Sequence, residues 1–142
     1  MRIFHVAEVR GIGGLQNWVL GLAKAQQQMG HEVTVILPPD TSNNWSLHTD
    51  IPKIPIKMWN LTYFQDADIV HSHAGFGAWN PLLKKQYPQL PIVHTYYGAS
   101  VALLWALGKY FHVGWYLDLW RRRKVIMKEA ISGRWADCII AV

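Results

Sequence analysis

Four groups of residues in this sequence have the types and spacing to do chemistry. In "VRGIGGLQNWV", Gly11, Gly13 and Gly14 stand between an apolar run and the start of a helical rhythm. A helix start carries unpaired N–H groups and the positive end of the helix dipole. Without side chains at Gly13 and Gly14, an anion, most naturally a diphosphate, can reach those groups. The same glycines also suit a tight strand-to-helix turn with no ligand, and both readings stand at this point. His71 and His73 in "DIVHSH" are two apart, so a regular strand projects both to one side. No Cys, Asp or Glu completes a metal set at the usual ligand spacing, and no metal is expected. His73, at the strand end, either hydrogen-bonds a ligand hydroxyl or is a half-buried ring satisfied by backbone. His5 and His94 fall mid-strand and read as structural. Tyr97 and Gly98 close "PIVHTYYG", a third polar strand end. The fourth group, Trp120, Arg121, Arg122, Arg123 and Lys124, joins an aromatic ring to four cations. It suits either an anionic membrane surface, with rings at headgroup depth, or simple solvation of a helix face. Nucleic acid is the weaker partner for it, and none is expected.

The elements that must position these groups follow from hydrophobic period. "RIFHVA" (Arg2–Ala7), "EVTVIL" (Glu32–Leu37), "DIVHSH" (Asp68–His73), "PIVHTYYG" (Pro91–Gly98) and "ADCIIAV" (Ala136–Val142) read as strands, with a further short one in "IPIKM". Leu15, Trp18, Val19, Leu22, Ala23 and Met29 step by three and four, which predicts a helix closed by Gly30 in a left-handed cap. "NPLLKKQY" predicts a short helix with Pro81 near its start, and residues 99–133 hold one or two more. Apolar strands alternating with helices imply an α/β domain with a parallel sheet covered on both faces, a doubly wound Rossmann-like fold. In such a sheet the loops after the first, third and fourth main strands gather at the carboxyl edge, where ligands bind. They carry Gly13, His73 and Gly98.

Composition narrows the class. The 142 residues are 51% hydrophobic, which excludes disorder and fits one domain over 1–142. The single cysteine, Cys138, permits no internal disulfide and suits a reducing, cytoplasmic setting, with peripheral attachment to the inner membrane face through the cationic run. The whole net charge of +5 resides in residues 105–135, with seven basic and two acidic side chains. A membrane span over 96–117 is disfavoured by Lys109 near its centre, at about 3 kcal/mol. The dinucleotide fingerprint G-x-G-x-x-G fails because position 16 is Gln and Pro38–Pro39, rather than an acid, end the second strand. The chain closes inside an apolar run, so it reads as a piece of a longer protein.

In order and spacing, "MRIFHVAEVRGIGGLQNWVLGLAKAQQQMGHEVTV", "DIVHSH", "PIVHTYYG" and "EAISGRWADCIIAV" resemble the amino-terminal half of the retaining, family-four glycosyltransferases of GT-B architecture. The resemblance covers nearly the whole chain. It implies two Rossmann-like domains facing across a cleft, with this one binding the acceptor and an absent carboxyl-terminal domain binding the nucleotide-sugar. No cofactor is implied; the nucleotide-sugar is a co-substrate, and the acceptor is a glycan, a lipid-linked sugar or a small molecule. The family's Gly-Gly loop falls on Gly13 and Gly14, near the donor diphosphate. Its Thr-x-His-Gly motif falls on Thr95, Tyr96, Tyr97 and Gly98, so a phenol stands where the family has an imidazole. The resemblance implies that this portion orients an acceptor hydroxyl and is inactive alone. A non-catalytic α/β subunit module of the same fold is the alternative.

Overall fold

The computed structural model describes residues 1–7, 13–37, 50–55, 60–97 and 131–142. Six strands form one sheet in the order β3-β2-β1-β4-β5-β6: β1 (Arg2–Val6), β2 (Glu32–Leu37), β3 (Lys53–Pro55), β4 (Ile69–His73), β5 (Ile92–Tyr96) and β6 (Cys138–Ala141). Every pairing is parallel. This is the Rossmann-like arrangement that the alternating pattern predicts, with the order reversing between β1 and β4. The short strand in "IPIKM" forms at Lys53–Pro55, one residue earlier than its apolar run.

Two helices lie on opposite faces. α1 (Gly14–Gln28) buries Val19, Leu20 and Ala23 against Ile3, Ala7, Val33, Val35 and Leu37. α2 (Asn80–Gln86) buries Leu83 on the other face with Val6, Ile36, Val70, Ile92, Phe64 and Trp79. Period-two alternation along each strand supplies both clusters, and each fully buried Val, Leu or Ile contributes about 1.5–3 kcal/mol. α1 ends as its sequence predicts. Gly30 has φ +85°, its N–H donates to Gln27 O (2.9 Å), and the His31 N–H donates to Gln26 O (3.1 Å). Those two bonds are the Schellman pattern.

The amino edge is closed by a repeated clip. Asp68, just before β4, donates its N–H to Arg2 O (3.0 Å) and accepts the Arg2 N–H on its carboxylate (2.7 Å). Asp137, just before β6, treats Ile92 the same way, with N–H to Ile92 O (2.8 Å) and Ile92 N–H to Oδ2 (2.8 Å). The Lys84 ammonium bonded to Asp137 holds that carboxyl below the ordinary carboxylate value. Each clip satisfies a terminal strand donor and sets where the next strand starts.

Candidate functional site

The carboxyl edge gathers the polar strand ends. Gly13 is the N-cap of α1, His73 is the last residue of β4, and Tyr97 follows β5 directly. Trp18, in the second turn of α1, sets its ring edge-on to both His73 and Tyr97, at centroid distances of 6.2 and 5.4 Å. The helix start and the two strand ends therefore share one rim. Gly98 and the run Trp120–Lys124 lie outside the described residues.

The two glycines differ. Gly13 is extended (φ −153°). A Cβ there would come within 2.5 Å of Gln16 Oε1, because that side chain folds back over the helix start. Gly14 is exposed, and among the described residues nothing outside its chain neighbours and its own helix backbone lies within 4 Å of where its Cβ would stand. The first turn of α1 has no acidic residue, and its N-cap, Gly13, brings no side-chain cap. Open space thus adjoins the positive end of the dipole at Gly14.

Behind the rim, on the α1 face, runs a chain of hydrogen bonds. Gln26 Oε1 meets His5 Nε2 (2.7 Å), His5 Nδ1 meets His73 Nε2 (2.8 Å), and His73 Nδ1 meets the Tyr97 hydroxyl (2.6 Å). His71 packs on His73 at 4.1 Å between centroids and bonds Thr95 Oγ1 through Nε2 (2.6 Å). His5 and His73 are wholly buried, while Tyr97 keeps part of its surface exposed. With both nitrogens of His73 engaged inside, the group this strand end offers to the rim is the Tyr97 phenol. Burial disfavours the charged imidazoles: it lowers His5 and His73 well below the ordinary value and takes His71 to about 3, neighbouring histidines adding to the effect at His71 and His73. Burial likewise raises the phenol of Tyr97, against a smaller opposing effect of the Thr95 hydroxyl.

The other face carries a second polar group. Ser72 Oγ lies 2.8 Å from His94 Nδ1, and Asn80 donates to Ser132 O (3.0 Å), tying the start of α2 to the helical turn at residues 131–134. Burial lowers His94 to about 4. These contacts are packed under Gly77, on the face of the sheet opposite α1.

His5, His71 and His73 each offer a nitrogen within 4.8 Å of the others, the one such grouping among the described residues. His5 was the member that spacing along the chain did not reveal. It joins through register, since Ile3-Phe4-His5 pairs residue for residue with Ile69-Val70-His71. The shared tripeptide pattern, Ile, then Phe or Val, then His, was the available signal. The arrangement suits hydrogen bonding better than metal ligation. His71 and His73 lie nearly face to face (28° between planes), so their in-plane lone pairs run side by side. His5 and His73 spend their facing nitrogens on each other.

A depression of about 470 Å³ lined by Met1, Arg2, Gly30, Glu32, Asp66 and Asp68 sits at the opposite, amino edge. There Arg2 pairs with Glu32 (3.1 Å) and Asp66 (3.6 Å). No helix among the described residues is long and apolar enough to cross a membrane.

Comparison with known proteins identifies the family and the fold. The model of Glycosyltransferase Family 4 matches residues 12–142. No curated protein is similar enough to count as a match. Among solved structures, the chain is similar to a sucrose-phosphate synthase from Thermosynechococcus elongatus, with TM-score 0.66 and 15% identity over 97% of this chain and 41% of that one. It is also similar to an alpha-glucosyltransferase in complex with UDP, with TM-score 0.61 and 21% identity over 99% of this chain and 35% of that one. An alpha-glucosyltransferase in complex with UDP-glucose and DNA containing an abasic site gives TM-score 0.62 and 23% identity over 99% and 35%. At these identities the likeness is one of fold. The chain spans about two fifths of the first structure and just over a third of the other two.

Proposed function

The chain belongs to glycosyltransferase family 4, and from that premise we propose that it is the acceptor-side half of a retaining glycosyltransferase that moves a sugar from a nucleotide-sugar to a hydroxyl acceptor. The observation that carries this reading is the shared rim. The open start of α1 at Gly14 and the Tyr97 phenol both lie at the carboxyl edge, and Trp18 of α1 stands edge-on to the Tyr97 ring. Each feature answers one part of such a reaction. The N–H groups at Gly13 and Gly14 attract the donor diphosphate and stabilise the charge that grows on it as the glycosidic bond breaks. The phenol holds a sugar hydroxyl, and His73 beneath it fixes the phenol's position, which is catalysis by orientation. The donor-side half belongs to the rest of the full chain, and residues 1–142 alone are expected to be inactive. The run Trp120–Lys124 is the proposed contact with an anionic membrane surface beside a lipid-linked acceptor.

The test is transfer from UDP-glucose by the full chain, compared with the Gly14→Glu variant. The added carboxylate faces the site where a diphosphate would lie, so affinity for UDP should fall at least tenfold while the fold persists. Unchanged UDP affinity would remove the diphosphate from this helix start. Co-sedimentation with vesicles containing or lacking anionic lipid, at low salt, tests the membrane contact; equal binding to both would end it.

A further inference from the structure

The chain of hydrogen bonds from Gln26 to Tyr97 has a direction. A carboxamide oxygen only accepts, so Gln26 Oε1 must receive the hydrogen on His5 Nε2 (2.7 Å). A neutral imidazole carries one N–H, which leaves His5 Nδ1 bare and able only to accept from His73 Nε2 (2.8 Å). His73 Nδ1 is then bare in turn, and the Tyr97 hydroxyl must give it its hydrogen (2.6 Å). The two rings lie 5.1 Å apart at 21°, both wholly buried. Burial keeps both neutral, which the one-hydrogen count requires.

We infer that Gln26 and His5 are positioning residues that act through His73 to turn the Tyr97 hydrogen inward, so that the phenol oxygen faces the cleft only as an acceptor. Its ligand is therefore a group with a hydrogen to give, a sugar hydroxyl, and not a phosphate or carboxylate oxygen. Gln26 reaches this effect from the far end of α1, two residues before the helix stops. The inference rests on the reading of the rim as a sugar site for its ligand, but the direction of the chain does not.

The experiment uses the full chain with 15N-labelled histidine, in which two-bond proton–nitrogen spectra report the hydrogen on each ring. His5 and His73 are both expected with hydrogen on Nε2 and a bare Nδ1. Hydrogen on Nδ1 of either ring overturns the inference, and this measurement needs no variant. Gln26→Leu should destroy the single tautomer at His73 and weaken UDP-glucose binding about threefold to tenfold, the size of one neutral hydrogen bond. Gln26→Glu, which can also only accept, should restore both. In a Tyr97→Phe background Gln26→Leu should have no further effect on binding, because the two act as a unit. Unchanged tautomers and affinity in Gln26→Leu would equally overturn the inference. A chain with the expected tautomers that neither binds nor uses UDP-glucose would instead refute the sugar-site reading and leave the hydrogen-bond direction standing.

Discussion

At the scale of single residues, His73 joins the buried core to the rim. His73→Ala removes the partner of both His5 and Tyr97 and leaves a cavity, so about 3 kcal/mol of stability should be lost in urea unfolding. Tyr97→Phe keeps the ring against Trp18 and removes one hydrogen bond. It should cost about 1 kcal/mol of stability while lowering kcat/KM for UDP-glucose about tenfold. A proportionate loss of stability with unchanged kcat/KM would make Tyr97 structural only. His71 and His73 could be singled out in the sequence because two-residue spacing on a strand puts them on one side. Tyr97 was named there too, as a strand end, but its bond to His73 and those of His5 and Gln26 were not legible, because the three come from three other segments.

At the scale of elements, two glycines make opposite predictions. Gly14→Glu places a carboxylate at the positive end of α1 in open space, so it should stabilise the fold by about 0.3–1 kcal/mol even as it repels a diphosphate. Thermal unfolding and UDP titration should therefore move in opposite directions, which a mere tight turn would not produce. Gly77→Ala has no such room. Its Cβ would overlap the Ser132 side chain and come within 2.5 Å of His94 Cε1. About 1–3 kcal/mol of stability should be lost, with UDP affinity unchanged, because this packing lies on the α2 face of the sheet, opposite the start of α1. The elements themselves were legible, since β-branched runs, the glycine cap and the proline near the start of α2 are local signals. The start of β3 was displaced by one residue, as short apolar runs define strand ends poorly.

At the scale of the whole molecule, four histidines are buried in a form that resists protonation: His5, His71, His73 and His94. Unfolding returns each to an ordinary value near 6.5. Below that pH the unfolded chain binds more protons than the folded one, so stability falls as pH falls. Stability should be flat above about pH 6.5 and drop between there and pH 4, where His94 begins to charge in the folded state. Each histidine contributes a slope of up to about 1.4 kcal/mol per pH unit. Unfolding midpoints measured from pH 7.5 to 4.5 check this; a pH-independent midpoint would mean that the rings are reached by water.

Apolar runs and their spacing along the chain determined the strands, the helices and the parallel sheet, and four motifs in order carried the family likeness, because these depend on neighbours in sequence. Register depended on the folded sheet. The same pattern, Ile, Phe or Val, then His, occurs in β1, β4 and β5. Between β1 and β4 it is aligned, and His5 meets His71. Between β4 and β5 it slips by one, pairing Ser72 with His94 and turning His94 to the opposite face. A one-residue slip reverses every side chain. Three like segments thus yield one hydrogen-bonded chain toward Tyr97 and one separate buried group, a difference that pairing between distant strands alone decides.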